Sequence, residues 1–515
     1  MNICNYIFKY KKIPFVIFWV VLSLIYAGIY ITIDLNDSPF SGFSGFLNIS
    51  MQWMVLCFVS SGLLCLASVN RYIFAFLFPL LIIVSSIIAY FKLSMGLVFT
   101  PACIELAFIN DVNTCLSVIS WKLIALVIIS LVVSILIVIA RFKYVKINNT
   151  WIFIFMGLAI VSVPFVVKRF YGAVINRLPY SIIYNIKSYI DNRNIIEEER
   201  STFDNISVKA CNNPPDVIFV LGESLRADHV SMNGYSRQTF PNISCDTSVV
   251  SFPNVYSEPY FTHTSVPRIM TRADEYDPDI AYSEPSFISL FKKAGYKTIW
   301  LSNQDIVSTY AYFMHEADSL IYGNAAKSTY CFDKWYDSDL LPHYSKLLKN
   351  KDDKPRLIVI HSIGSHWWYK SHYPDSLAVF KPEIDSRVIS DLSREQIINS
   401  YDNTILATDI FLWKVIELLR NRNAFLLYVS DHGEALGEDG NYLHANDYEQ
   451  LHNPAMFVWT SEKYEQLLPD KVKSLRHNKN IKLSTDWIFH SVLDGAELST
   501  DVKNDSLSIF SYEKN

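Results

Sequence analysis

Four short apolar runs in the second half of this chain each end in residues that could do chemistry. "VIFVLGE" closes on Glu223, "TIWLSN" on Asn303, "RLIVIHSIGSH" on His361 and His366, and "FLLYVSDHGE" reaches Asp431 and His432. A carboxylate at the end of an apolar strand is costly to leave unpaired, because charge beside an apolar core loses its hydration. A metal ion answers that cost, and carboxylate with imidazole is a donor set that suits zinc. A lone DHG is as often a turn with a solvated aspartate, and a lone histidine is more often packed than ligating. Repetition at several strand ends is what points to a metal. His444, in the loop after His432, adds a further imidazole. The stretch "EPYFTHTSVPR", residues 258–268, supplies three hydroxyls, Thr262, Thr264 and Ser265, around His263. A metal-bound hydroxyl loses its proton more readily and can attack phosphorus or sulfur near neutral pH. Composition and spacing leave open which of the three would be the nucleophile. Ser265 is placed to cap a helix opened by Pro267.

Something must bring these strand ends together. The runs are β-branched and alternate with helical segments such as "SFISLFKKAGY" and "REQIINSYDNTILATDIFLWKVIELLRN". Buried strands alternating with helices predict a mostly parallel α/β sheet flanked by helices. In such sheets the active site forms beyond the carboxyl ends of the strands, so the polar residues named above should converge there.

The first 170 residues have a different texture. Five apolar runs, Ile13–Ile33, Leu47–Val69, Tyr72–Tyr90, Leu123–Ala140 and Trp151–Val167, approach the ~20 residues that a helix needs to cross a bilayer. Lys9, Lys11 and Lys12 precede the first, Arg71 follows the second, and Arg141, Lys143 and Lys146 follow the fourth. The positive-inside rule then places the N-terminus in the cytoplasm, and five crossings place everything after residue 170 outside the inner membrane. Residues 171–213 read as a connector with an interfacial helix, whose Tyr180, Tyr184 and Tyr189 could meet lipid head groups. Pro214–Pro215 marks the entrance to a second domain, 214–515. With 515 residues, 51% hydrophobic and a net charge of −5, the chain is a membrane part joined to a soluble part, and nucleic acid is excluded as a partner. Only Cys211, Cys245 and Cys331 lie beyond residue 170, which excludes a dense disulfide framework and leaves their pairing open.

The soluble half resembles the phosphoethanolamine transferases of Gram-negative inner membranes, in the alkaline phosphatase and sulfatase superfamily. The resemblance is carried by "GESLRADHVSMNGYSRQTFPNI" (222–243), "THTSVPRIM" (262–270), "HSIGSHWWYKSHYP" (361–374), "SREQIINSYDNTILATDIFL" (393–412) and "SDHGEALGEDGNYLH" (430–444). It implies a five-helix transmembrane bundle followed by a sulfatase-like catalytic domain, a monomer with that domain in the periplasm. By position it implies Thr262 as nucleophile and ligand, with Glu223, Asp431 and His432 as the other ligands of one zinc. His366 and His444 would bind the transferred phosphate or a second zinc, and His361 would be a further active-site histidine. Phosphoethanolamine would pass from phosphatidylethanolamine to Thr262 and then to an acceptor on lipid A, the LPS core or another envelope glycan. The loop after the third span would meet the donor head group through Asn110 and Thr114, with Leu106 a departure from the family's pattern. Glu258, Arg268 and Leu392 stand where many relatives carry cysteines, which predicts a Glu258–Arg268 contact in place of a disulfide. A phosphoglycerol transferase of the same fold is the nearest alternative. A sulfatase fits less well, since "SVPRI" sets Arg268 one place too early for the formylglycine motif, and an inactive sensor would not need the intact ligand set.

Overall fold

The computed structural model describes residues 12–36, 42–95, 98–101, 103–104, 119–197, 200–304, 308–327, 334–349, 354–386, 389–444 and 447–512. Asn110, Thr114, Leu106 and Cys331 lie outside the described residues. The chain forms two compact units: Met1–Tyr189 with Ala326–Asp333, and Ile190–Ala325 with Lys334–Asn515.

In the first unit four helices are long and apolar enough to cross a membrane: α1 (Phe15–Leu35), α2 (Gly42–Val69), α3 (Arg71–Met95, apolar as far as Ser94) and α4 (Trp121–Tyr144). The expected fifth span is a bent pair, α5 (Thr150–Val166) and α6 (Lys168–Ile175), at 104° to each other. The 17 residues of α5 rise only about 26 Å, short of a ~30 Å hydrocarbon core. Among the described residues the count is therefore four, or five if the bent pair is one span. Small residues let α2 and α5 approach closely: a Cβ on Gly62 would lie 2.8 Å from Ile160 Cγ2, and one on Gly157 would lie 2.7 Å from Leu66 Cγ. Arg141 does not stay free at the membrane surface. Its guanidinium is buried and donates to the last carbonyls of α2, Ser68 O and Val69 O, at 2.8 and 2.9 Å. Hydroxyl pairs cross the bundle, Tyr26 with Ser85 at 2.9 Å and Tyr30 with Ser86 at 2.7 Å. Helix α7 (Tyr180–Glu197) occupies the expected connector, but Tyr180 points inward and its hydroxyl donates to Val59 O at 3.0 Å. Tyr180 is thus removed from the head-group region, because burying its ring and satisfying its hydroxyl in one place favours the bundle.

The second unit is built on a seven-stranded sheet. In chain order its strands are β1 (Asp216–Gly222), β2 (Val249–Ser251), β3 (Lys297–Ser302), β4 (Ser319–Tyr322), β5 (Arg356–His361), β6 (Ala424–Ser430) and β7 (Met456–Thr460). Their order across the sheet is β2-β7-β6-β1-β5-β3-β4. The run from β6 to β4 is parallel, and β7 and β2 add antiparallel at one edge. The four runs read as strands are the four adjacent central strands, and three of them are buried throughout, as strands covered on both faces must be. Their pairing aligns their ends: Gly222 pairs with Ser430, Leu221 with His361 and Ser302 with His361. Two helices matter for what lies there, α8 (Thr262–Met270) and α9 (Arg394–Glu417). The N-terminus of α9 is closed by a reciprocal capping box between Ser393 and Gln396. Helix α8 begins at Thr262, not at Pro267, so Ser265 is not its cap. Ser265 lies inside the helix and its buried hydroxyl has no hydrogen-bond partner among the described residues. The helix starts early because Phe261 O already accepts from Thr264 N and Ser265 N.

Candidate active site

Glu223 follows β1 directly, and the turn after it is made by Ser224 in the left-handed region, φ 56°. A non-glycine residue there is strained, and the strain is held by its contacts. Ser224 N donates to Asp431 Oδ1 at 3.1 Å, and Ser224 Oγ donates to Glu223 Oε1 at 2.9 Å. Helix α9 braces the turn: Tyr401 OH donates to Ser224 O at 2.7 Å and accepts from Arg226 N at 2.9 Å. Across β5, Gly364 (φ 50°) packs so closely that a Cβ would lie 2.8 Å from Glu223 O.

Asp431 and His432 come off β6 beside Glu223. Asp431 N continues the ladder to Gly222 O, and Asp431 Oδ1 accepts from His432 N at 2.8 Å. His432 Nδ1 lies 2.7 Å from Gly433 O, which fixes that nitrogen as the donor and leaves Nε2 as a lone pair aimed into the site. Thr262, the first residue of α8, brings Oγ1 to 3.3 Å from Glu223 Oε2 and 3.3 Å from His432 Nε2. His432 Nε2 lies 3.5 Å from Glu223 Oε1 and 3.4 Å from Asp431 Oδ2.

These residues fit a metal. Oxygen and nitrogen donors about 2.0–2.1 Å from a tetrahedral zinc stand about 3.3–3.4 Å from one another, close to the four separations here. One ligand atom from each of Glu223, Asp431 and His432 lies within 4.8 Å of the others, and all three residues are buried. Asp431 Oδ2 has no hydrogen-bond partner among the described residues. Burial, and then the neighbouring Asp431, push Glu223 well above the usual carboxylate range. Two buried carboxylates placed this close together are held ionised by a cation between them.

The other expected residues divide. His366 and His444 join the cluster: the His444 ring centroid is 4.9 Å from that of His432 and 6.4 Å from that of His366. Desolvation, with His372 and His444 adding repulsion, pushes His366 down to about 3, so it is a neutral ring. Desolvation also acts on His444, but Glu434, 3.4 Å from Nδ1, outweighs it and lifts His444 to about 9. His361 is buried edge-to-face with the rings of Trp300 and Tyr310, with Nδ1 lacking a hydrogen-bond partner among the described residues. Asn303 does not reach the centre either. Its amide bridges Asp337, Trp335 and Asn324. Two residues went unread in the sequence. Gln304 takes the place expected of Asn303 and donates to Glu223 Oε2 at 3.2 Å and Ser362 O at 2.9 Å. Glu434 is fully buried beside His444; the second acid in "DHGE" was its only sequence signal.

The predicted Glu258–Arg268 contact is present, Arg268 Nη1 to Glu258 Oε2 at 2.9 Å. Arg268 also forks onto Asp486 Oδ1 and Oδ2 at 3.0 and 3.1 Å, which ties α8 to the segment before α10 (Ile488–Gly495).

The sequence model described as Sulfatase matches residues 215–498, more than half of the chain. The chain belongs to the sulfatase family. Within that family it is similar to the phosphatidylethanolamine transferase Mcr-1 of Escherichia coli, at 35% identity over 266 residues, 48% of this chain and 49% of that protein. It spans about half the length of the curated relatives it matches. The zinc-bound crystal structure of the C-terminal periplasmic domain of EptC from Escherichia coli superposes with a TM-score of 0.55 at 26% identity, covering 62% of this chain and 92% of that one. The integral membrane lipooligosaccharide phosphoethanolamine transferase A (EptA) of Neisseria meningitidis covers 96% of this chain and 97% of its own, with a TM-score of 0.54 and 22% identity. That likeness is one of fold, a set of N-terminal helices followed by a sulfatase-family domain.

Proposed function

We propose that this protein is an inner-membrane phosphoethanolamine transferase that works through a covalent intermediate on Thr262. The observation that carries the reading is the convergence of Thr262 Oγ1 with Glu223 and His432 at 3.3 Å, beside Asp431 Oδ2, which has no hydrogen-bond partner among the described residues. Glu223, Asp431, His432 and Thr262 would hold one zinc, which supplies Lewis-acid charge that lowers the Thr262 hydroxyl's pKa and offsets charge on phosphate. Thr262 Oγ forms a bond to the phosphorus of phosphatidylethanolamine. The bond from phosphorus to the diacylglycerol oxygen breaks, and diacylglycerol leaves with a proton. An acceptor hydroxyl or phosphate on lipid A, the LPS core or another envelope glycan then attacks the same phosphorus, and Thr262 regains its proton as it leaves. His366 and His444 stand where they can hold the phosphate oxygens or a second zinc, and Gln304 keeps Glu223 turned towards Thr262. Placement at the start of α8 adds the positive end of the helix dipole at the attacked phosphate. Five crossings, with α5 and α6 as one span, would put residues 214–515 in the periplasm with both substrates.

Mass spectrometry of envelope lipids and glycans from cells with and without the protein tests the reading. It predicts a gain of phosphoethanolamine mass on an acceptor, lost in Thr262→Ala. A gain of phosphoglycerol mass instead would replace it with the phosphoglycerol transferase.

A further inference from the structure

Ser224 touches both buried carboxylates, each with a different group. Its backbone N–H donates to Asp431 Oδ1 at 3.1 Å and its hydroxyl donates to Glu223 Oε1 at 2.9 Å. On Asp431 the donors fall on one oxygen, since His432 N also reaches Oδ1, at 2.8 Å. Oδ2 keeps its lone pairs, with no hydrogen-bond partner among the described residues. On Glu223 the donors are divided, Ser224 Oγ on Oε1 and Gln304 Nε2 on Oε2 at 3.2 Å. The terminal torsion of a glutamate is broad when free, so a donor at each oxygen fixes the plane of this carboxylate.

The contacts come with the left-handed backbone of Ser224, φ 56°, which serine adopts at a cost. Several neighbours hold the turn in that state. Leu225 N donates to Ser430 Oγ at 2.7 Å, and Ser430 Oγ donates to His432 O at 3.0 Å. Tyr401 OH bridges Ser224 O and Arg226 N. Ser224 is fully buried, so its hydroxyl serves no solvent contact. Backbone fit alone favours glycine at this position; what serine adds is the hydroxyl on Glu223. We infer that Ser224 is a positioning residue for the metal, its hydroxyl setting the Glu223 carboxylate and its N–H the Asp431 carboxylate ahead of zinc binding. This rests on the metal site proposed above and assigns its pre-organisation to a residue that is not a ligand. Donors oriented beforehand lose less freedom on binding, and removing such a partner typically weakens metal affinity about 10–100-fold.

Zinc affinity of the metal-stripped full chain in detergent, read by competition with a colorimetric zinc chelator, tests it beside thermal unfolding of the metal-free protein. Two variants lack the hydroxyl: Ser224→Gly relieves the backbone strain, and Ser224→Ala keeps it. Both are expected to bind zinc about 10–100-fold more weakly than wild type, and about equally with each other. Metal-free Ser224→Gly should nonetheless melt above Ser224→Ala, which separates positioning from stability. Unchanged zinc affinity in Ser224→Gly, or affinity lost only in Ser224→Ala, would overturn the inference, because Ser224 would then act through the fold alone. Failure of Ser224→Gly to fold would do the same. Wild type that binds no zinc would instead sink the metal site itself.

Discussion

Arg268 shows how one residue can replace a covalent brace. Its guanidinium is buried in α8 and holds two carboxylates of different exposure, Asp486 at 13% and Glu258 at 57% of their side-chain surface. An exposed ion pair contributes under about 1 kcal/mol, whereas leaving a buried charge without its partner costs roughly 3–5 kcal/mol. Asp486→Ala should therefore lower the melting temperature and the activity clearly, and Glu258→Ala should do little. Thermal unfolding of both variants checks this, and equal effects would mean that Arg268 does not anchor α8 through Asp486. At this scale the sequence was readable where a residue type has one plausible use. Glu223, Asp431, His432 and Thr262 stand together as the resemblance implied. Asn303 and Gln304 show the limit, because two adjacent amides look alike in sequence. Gln304 is the one that reaches Glu223, because Trp335, Asn324 and Asp337 take up Asn303. His361 was misleading for a similar reason, since the last residue of a strand alternates faces and this one turns into the aromatic core.

The central strands were legible because full burial forces continuous apolar runs, and short strands β2 and β4 were not because neither shows such a run. Helix α10 was also unremarked, yet it carries a charge cluster with a measurable consequence. Burial alone would raise Asp494, but Lys471 and Lys503, at 2.7 and 2.6 Å, hold its carboxyl down to about 2. A carboxyl whose folded pKa is depressed stabilises the fold above its unfolded pKa of about 3.9, and loses that contribution as pH falls through about 2. About 2 kcal/mol should therefore disappear between pH 4 and pH 2. Denaturant unfolding across that range checks it: Asp494→Asn should flatten the slope, and an unchanged slope would show that the cluster is not responsible.

At the scale of the whole molecule, hydropathy alone counted five spans, and the shortest is the one the structure bends. Sequence reading treats each apolar run as a straight rod, so a 17-residue helix followed by a 104° turn was invisible to it. The side of the membrane on which the second unit lies depends on whether that pair crosses. Cys245 is an exposed free thiol in that unit, whereas Cys65 is buried in α2. A membrane-impermeant maleimide applied to spheroplasts should label Cys245 without lysis, and labelling only after lysis would indicate four crossings. The most direct measurement concerns the intermediate itself. Purified full chain is incubated with phosphatidylethanolamine carrying an isotopically labelled head group, quenched in acid and digested. The account predicts label on the peptide containing Thr262 at that residue, absent in Thr262→Ala and after chelation of the metal. Diacylglycerol release with label on another residue, or with no labelled peptide while transfer proceeds, would contradict it.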